Sequence, residues 1–267
     1  MAGDAITSQF NIGVATVMVG PMGEVEKLTP EQHSIGLTKA VSLTSETTEV
    51  TLTHGLRNRT VDSQVTGVES TISMEVYEYT AANIAYAAQL DGSKFVTGKT
   101  LSLTSAITGG DSATSVVVAS EEDLSTQVTE GSTILLQATG AKKYDKVLAA
   151  KVSSASYVDG SLTITLADPI PTGWSFAIGD AVHMVSVIPV GADTPQPYLG
   201  VKIVGILPNG NEPVTIIIPK AKITSGMTLG FNTDAYGNMP FEITPYDLTT
   251  DDELYGKYDA NVVIYRR

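Results

Sequence analysis

The chain has no cysteine among its 267 residues. A disulfide framework and a thiolate metal site are therefore excluded, and the composition fits a reducing compartment. Histidine is scarce as well, because His33, His54 and His183 are the full complement and they show no metal-ligand spacing. No metal ion or other cofactor is expected.

Basic residues are outnumbered by acidic ones. There are 16 Lys and Arg against 29 Asp and Glu, which gives a formal charge of −13 and a pI near 4.5. Lys and Arg side chains that neutralise phosphates supply most of the non-specific affinity for nucleic acid, so this balance argues against a protein that wraps DNA or lies on an anionic membrane. It still allows a protein past which DNA slides without being held.

Long apolar runs are also missing. No stretch approaches the length of a membrane span, and residues 1–20 lack the basic start and the apolar run of a secretory signal. We therefore expect no membrane partner.

The motifs of common enzymes are incomplete. Residues 92–100 (GSKFVTGKT) are similar to a phosphate-binding loop, but five residues separate the two glycines where that motif has four. The turn at 232–237 departs from a calcium loop because position twelve is Ile243 instead of a bidentate Glu. No serine lies in a Gly-x-Ser-x-Gly elbow. The sequence predicts a protein that is not an enzyme.

Threonine, serine, valine and isoleucine abound, as is typical of a mostly β protein. The clearest signal is a hairpin from Thr47 to Tyr79, in which polar and apolar residues alternate along both strands, so that each strand has one wet and one buried face. An isolated hairpin of this length is not stable, so it needs a second layer and partners for its edges. The residues predicted to share the wet face are Glu49, Thr51, Thr53, Glu69, Thr71, Ser73 and Glu75.

Other elements surround the hairpin. Residues 37–43 are predicted to be a separate strand, and residues 21–34 and 54–64 are predicted to be long loops with too few apolar residues to order themselves. The second loop carries Arg57 and Arg59. Thr80 to Leu90 is predicted to be a helix that Thr80 caps and that Asp91-Gly92 ends.

Residues 93–191 have a different character. Six short strands separated by turns suggest a small barrel or sandwich, and the proline-rich stretch 189–197 suggests a linker back to the first domain. The last quarter is predicted to be a three-strand meander over 214–243 and a final strand, Val262 to Tyr265. The predicted fold is mostly β: two packed β-sheets, as a sandwich or partial barrel, flanked by one α-helix and formed by residues 1–92 and 192–267, with an inserted small β-barrel-like domain at 93–191.

The C-terminal pattern resembles that of a known family. Residues 211–223 (NEPVTIIIPKAKI), 226–229 (GMTL) and 237–243 (GNMPFEI) resemble the C-terminal meander of the tail tube proteins of long-tailed bacteriophages. The resemblance covers roughly residues 212–247. It implies two packed sheets flanked by a helix, six copies in a ring, rings stacked into a hollow tube, and long hairpins that close into one barrel around a lumen.

The resemblance also implies roles for the hairpin. Its wet face would line the lumen with hydroxyls and carboxylates and with no Lys or Arg along these strands, so that DNA passes without tight binding. Arg57 and Arg59 would contact the next ring. The implied partners are further copies of the chain, a tape measure protein, a tail terminator and baseplate or tail-tip proteins. The implied location is the virion tail, assembled in the cytoplasm of the host bacterium, although related tubes of secretion systems and bacteriocins fit the same pattern.

A second interpretation is a monomeric β-sandwich binding module that is directed to carbohydrate through the insert. Trp174, beside Pro171 and Gly173, could stack on a sugar, although a core position is the stronger interpretation. Glu49, Glu69 and Glu75 could be catalytic carboxylates, but the intervening Thr and Ser favour a solvated strand face.

Overall fold

A computed structural model describes residues 14–55, 58–95, 98–138, 146–191, 196–206, 213–225, 227–230 and 237–266. The chain divides into two compact units, one of residues 1–95 and 188–267 and the other of residues 96–187. The insert was predicted at 93–191, a few residues longer at each end.

About half of the described residues are in strands. In chain order these are β1 (Val14–Pro21), β2 (Thr38–His54), β3 (Arg59–Val76), β4 (Thr100–Ser102), β5 (Ile107–Thr108), β6 (Ser115–Ala119), β7 (Thr133–Gln137), β8 (Val147–Val158), β9 (Ser161–Leu166), β10 (Ser175–Phe176), β11 (Ala181–Val185), β12 (Leu199–Ile206), β13 (Pro213–Ile223), β14 (Met239–Pro245) and β15 (Val263–Tyr265). The α-helices are α1 (Pro30–His33) and α2 (Ala81–Ala87), and short 3-10 helices span Met22–Lys27 and Gly92–Lys94.

The first unit is built on one antiparallel sheet with the strand order β1-β12-β13-β14-β3-β2, and β15 pairs with β13. The sheet curls into a partial barrel, which brings its two edge strands, β1 and β2, together. Thr38 Oγ1 at the start of β2 donates to the Ala15 carbonyl of β1 over 3.4 Å. The curl encloses a core that includes Ile72, Phe241 and Ile243, and α2 adds Tyr86 and Ala87 to it.

A smaller apolar cluster covers part of the other side of this sheet. Val25 of the first 3-10 helix and Leu254 and Tyr258 of the C-terminal segment pack with Met18 and Ile217. Residues 21–34 were predicted to be an unordered loop. That prediction is wrong, because the segment forms two short helices and buries Val25 and Leu28.

The hairpin is longer than predicted. Residues 38–43 of the strand predicted at 37–43 and the outgoing hairpin strand belong to the single strand β2, and β3 begins at Arg59. The expected loop over 54–64 is therefore wrong, since His54 pairs with Arg59 and Leu52 with Asp62. The pairing shifts by one residue between Thr48-Gly67 and Glu49-Val65, which leaves Thr66 as an extra residue in β3.

The predicted helix cap at Thr80 is confirmed, because its Oγ1 accepts from the Asn83 backbone N–H at 3.1 Å. The predicted end is wrong. Helix α2 stops at Ala87, and Gln89 adopts a left-handed conformation with φ 63°. Hydrogen bonds from Gln89 N–H to the Tyr86 carbonyl (3.0 Å) and from Leu90 N–H to the Ala85 carbonyl (2.8 Å) form a Schellman ending.

The C-terminal part differs from the predicted meander. Residues 214–218 and 221–223 lie in the one strand β13, and residues 227–230 are not in a strand. The extra residue in β13 between its pairs Ala221-Leu199 and Ile218-Val201 forms a bulge, which keeps both Ile218 and Ala221 in the core. The predicted last strand is confirmed as β15.

The second unit is a small closed barrel. Its strands run in the order β4-β11-β7-β8-β9-β6, and β6 returns to β4 through a bridge between Leu103 and Val118. Leu136, Leu162 and Ile164 are fully buried inside it. All six strands predicted in this region are present. The predicted fold class, mostly β with a flanking helix and an inserted barrel-like domain, is confirmed.

Candidate assembly surface

One side of the first sheet is polar and accessible to solvent across four neighbouring strands. Cross-strand partners share a face, so the pairs Ser42-Ser73, Thr44-Thr71, Glu46-Glu69, Glu242-Ser73 and Lys222-Thr244 place all of these side chains on the side opposite the core. Every one of them is exposed or half-buried. We call this surface the polar face; its members are Lys39, Ser42, Thr44, Glu46, Glu69, Thr71, Ser73, Glu75, Lys222, Glu242 and Thr244.

The seven residues predicted to share one wet face do not share it. Those on β3, which are Glu69, Thr71, Ser73 and Glu75, belong to the polar face. Those on β2, which are Glu49, Thr51 and Thr53, fall on the opposite face, the one that carries Leu43. Ser63 Oγ, on the partner strand, donates to Glu49 Oε2 at 2.7 Å on that opposite face.

The predicted set is wrong because it takes the wrong alternate residues of β2 for the polar face. Val41 and Leu43 pack against the core, so Ser42, Thr44 and Glu46 point the other way. Following these two apolar residues along the strand would have found the polar residues of β2. Glu242 and Thr244 were also missed, although they alternate with the buried Phe241 and Ile243.

A small polar cluster joins β2 to β3 at the base of the hairpin. Lys39 and Glu75 are cross-strand partners, and Lys39 Nζ lies 4.7 Å from the centroid of the Tyr77 ring. Tyr77 Oη donates to Glu75 Oε2 at 2.7 Å. This hydrogen bond, with a smaller contribution from Asn238 and from the Lys39 charge, lowers the pKa of Glu75, and the same contact raises the pKa of Tyr77.

Further along the polar face, two carboxylates stand directly opposite each other. Glu46 and Glu69 are cross-strand partners, and both are exposed. Neither forms an ion pair with a residue that the structure describes. Like charges in this position destabilise a sheet.

Two lysines and two tyrosines lie where the polar face reaches β13. Tyr198 and Tyr246 meet edge to face with their centroids 5.7 Å apart, and both are partly exposed. Lys222 Nζ is 4.5 Å from the Tyr198 centroid and 6.0 Å from that of Tyr246. Lys220 Nζ also lies 4.5 Å from the Tyr198 centroid, but it is buried and paired with Asp252.

The end of the hairpin is exposed on both faces. We call residues 47–55 and 58–68 the arm; all of them are exposed except Gly67, which is half-buried. Val50 and Leu52 project from one face with 62% and 64% of their surface exposed, and Val65 projects from the other with 57%. In the described part of the chain, no strand pairs with the outer edge of β2. An apolar, unpaired edge of this kind is a surface on which another chain can pair.

The arginines at the tip are only partly described. Arg59 is exposed, pairs with His54 across the strands, and forms no ion pair with any described residue. Arg57 lies outside the described residues.

The second unit, residues 96–187, is called the barrel unit from here on, and it contains a cleft. It has a volume of about 590 Å³, and its lining includes Lys99, Glu122, Leu124 and Tyr157. Lys99 and Glu122 form an ion pair at its rim. Trp174 is not part of this lining; it stacks on Phe176 at 6.1 Å and packs against the barrel core.

Two further features are absent from the described ranges. No group of three or more His, Asp or Glu side chains there is arranged to hold a metal ion. No helix in those ranges is both long enough and apolar enough to cross a membrane.

Comparison with protein-family models and with curated proteins found no match to this chain.

Proposed function

We propose that the chain is the structural subunit of a hollow phage tail tube. Six copies would associate side by side into a ring, rings would stack in the virion tail, and DNA would pass through the lumen. The tape measure protein, the tail terminator and the baseplate or tail-tip proteins would be its other partners. The proposal assigns the chain no enzymatic activity.

The observation that carries this proposal is the arm. Val50, Leu52 and Val65 of the arm are exposed to solvent on two opposite faces, beside a strand edge with which no described strand pairs. The arm buries no apolar side chain in the monomer, and a long exposed apolar edge readily pairs with another chain. Association of copies through the arm would bury both faces and pair the edge.

The polar face supports a role as the lumen wall. Its charged members are Glu46, Glu69, Glu75 and Glu242, against Lys39 and Lys222. The expectation of no Lys or Arg along these strands was wrong, because β2 includes Lys39 and β3 begins at Arg59. Carboxylates still predominate, and such a wall would not accumulate contacts with DNA phosphates.

Arg57 and Arg59 would contact the next ring. Arg59 stands at the exposed end of the arm with a charge opposite to that of the protein as a whole. Charge reversal at both positions, Arg57→Glu with Arg59→Glu, should shorten the stacks in electron micrographs while leaving the melting temperature of the subunit unchanged. Stacks of unchanged length would count against this contact.

Truncation of the arm tests the proposal. Because Glu49 and Val65 are cross-strand partners, residues 50–64 can be replaced by Asn-Gly, which favours a tight hairpin turn. Negative-stain microscopy of the concentrated wild-type protein should show rings or hollow rods, whereas the truncated protein should stay monomeric with an unchanged circular dichroism spectrum. A wild-type protein that is monomeric at every concentration would refute the proposal.

A milder variant distinguishes the contribution of the apolar side chains of the arm to association from the contribution of its length. Val50→Thr with Leu52→Thr should weaken association. Val158→Thr is the matched control, since Val158 is a strand valine of the barrel unit with 64% of its surface exposed. An equal loss of association in both variants would show that the apolar side chains of the arm have no special role in assembly.

The cleft in the barrel unit favours a second candidate, a monomeric module that binds carbohydrate. Tyr157 offers a ring face, and the Lys99-Glu122 pair offers a donor and an acceptor for sugar hydroxyls. Glycan binding that Tyr157→Ala abolishes, by a protein that never forms rings, would favour this function over the tube.

A further inference from the structure

We propose that Lys222 of one copy pairs with Glu46 and Glu69 of the next copy in the ring. The ring itself is the proposed function, on which this inference rests. The contact would be electrostatic and would lie on the polar face. It names the charged groups that join neighbouring subunits.

The acidic half of the contact is unbalanced in a single chain. Glu46 and Glu69 oppose each other across β2 and β3, and the other members of the polar face at that level are hydroxyl-bearing residues such as Thr44 and Thr71. Lys39 belongs to the same face, but it is held at the base of the hairpin by Tyr77. A cation from outside the chain would turn this repulsion into attraction.

The basic half also has no ionic partner among the described residues. Lys222 forms no ion pair with a described residue, although Glu242 lies on the adjacent strand of the same face. The Lys222 ammonium instead lies 4.5 Å from the centroid of Tyr198 and 6.0 Å from that of Tyr246. The two tyrosine rings hold this ammonium in place at the surface, which limits the side-chain entropy that a contact would cost.

In the proposed ring, the two halves would meet at the boundary between copies. Within the described residues, β2 is the edge strand of the sheet and carries Glu46. Lys222 lies on β13, the third strand from the β1 edge, just past Ala221, where the pairing of β13 with β12 ends. Lys222 pairs with Thr244, and Thr71 pairs with Thr44. Since Ile243 pairs with Ile72, the same register places Thr244 beside Thr71. The Glu46-Glu69 pair lies two residues further along the strands. Side-by-side copies need a slide of about 7 Å along the strand direction to bring the charges level.

Local charge complementarity favours a second copy as the occupant, because each copy carries both the lysine and the two glutamates. The net charge of −13 makes copies repel one another at longer range, so each boundary needs an attractive contact of this kind. A contact repeated six times around a ring would pair one lysine with two glutamates at each boundary.

Charge reversal with rescue tests the contact. Lys222→Glu should lower the fraction of protein found in rings by about tenfold or more, because like charges would then meet at each boundary. Adding Glu46→Lys and Glu69→Lys to the same chain should restore assembly, since the charges are then exchanged. Lys151→Glu is the matched control: Lys151 is an exposed strand lysine of the barrel unit, and its reversal changes the net charge equally. Circular dichroism should show that all four proteins are folded.

Carbodiimide coupling gives a second readout on the wild-type protein. This reagent joins amines to carboxylates that touch, and a mixture of ¹⁴N- and ¹⁵N-labelled protein distinguishes links between copies from links within one copy. We expect mixed-isotope peptides that join Lys222 to Glu46 or Glu69. Association without this link, or loss of assembly in Lys222→Glu without rescue, would overturn the inference and leave the ring proposal standing. A protein that never associates would overturn both.

Discussion

Lys220 Nζ lies 2.7 Å from Asp252 Oδ2, and this ion pair ties the C-terminal segment to the outer side of β13. Lys220 is buried, and its side chain also packs on the Tyr198 ring. Asp252 accepts two further hydrogen bonds, from the backbone N–H (2.7 Å) and Oγ1 (3.0 Å) of Thr249. The carboxylate therefore fixes the turn that begins at Thr249 as well as the lysine.

Loss of this carboxylate should destabilise the first unit in a pH-dependent way. The hydrogen bond from Lys220, followed by the one from the Thr249 backbone, lowers the pKa of Asp252 below its ordinary 3.8. A carboxyl whose folded pKa is depressed stabilises the fold above its unfolded pKa, and this contribution disappears as the pH falls through the folded pKa. Asp252→Asn should thus unfold more easily than the wild type at neutral pH, and the difference between their urea titrations should shrink as the pH falls below 3.8 and through the folded pKa. Lys220→Met, which keeps the apolar stem, is the companion variant. Curves that stay equally far apart at low pH would show that the charge does not matter.

Gln89→Gly should stabilise the first unit. Gln89 has a left-handed φ of 63° at the end of α2, where a Cβ atom costs about 1 kcal/mol. Glycine removes this strain but makes the unfolded chain more flexible, so the net gain should be about 0.5 kcal/mol. Urea unfolding measures it, and Gln89→Ala, which keeps the Cβ atom, should show no gain. A loss of stability in Gln89→Gly would mean that the amide side chain makes a stabilising contact.

Prediction from the sequence succeeded where one face of a strand is buried. Ile72, Met74 and Val76 alternate with accessible residues in β3, and the structure buries all three. In β2 the apolar alternation ends after Leu43. Ser45 and Thr47 follow on the same face as Leu43 but are polar, and the next apolar residues, Val50 and Leu52, lie on the opposite face. With both faces of the arm in water, the pattern no longer specifies the phase of the strand.

One local signal pointed to the shift in β3. Gly67 interrupts a strand pattern, which is often the mark of a bulge, and the pairing does slip beside it. The cluster of Lys222, Tyr198 and Tyr246 is different in kind. It depends on pairing between β12, β13 and β14, which no local pattern reveals.

The barrel unit should fold by itself. Its entry and exit strands are neighbours, since Met184 N–H donates to the Lys99 carbonyl at 2.9 Å and β4 pairs with β11. Residues 96–187 expressed alone should therefore show a cooperative thermal transition. A chain in which a short Gly/Ser linker replaces them should still form rings. A remainder that is folded but never assembles would mean that the barrel unit takes part in the ring.

Glu69→Lys should stabilise the isolated subunit while weakening assembly. The exchange converts the Glu46-Glu69 repulsion into an attractive pair, which is worth about 0.5 to 1 kcal/mol in dilute, monomeric protein at low salt. The gain should shrink in high salt. Glu69→Thr, which only removes the repulsion, should give a smaller gain. A subunit destabilised by both changes would contradict the pairing.

Cysteine labelling of assembled tubes can decide which face lines the lumen. The natural chain has no cysteine, so Ser73→Cys on the polar face introduces a single thiol without background. In the free subunit this thiol should react both with a small maleimide and with a maleimide linked to a globular protein. In tubes it should react with the small reagent only, because a channel admits the one and excludes the other. Lys151→Cys, on an exposed strand of the barrel unit, should accept both reagents in both states. Thr51→Cys reports on the opposite face of the hairpin, and protection of Thr51 with free access to Ser73 would place the polar face on the outside of the tube.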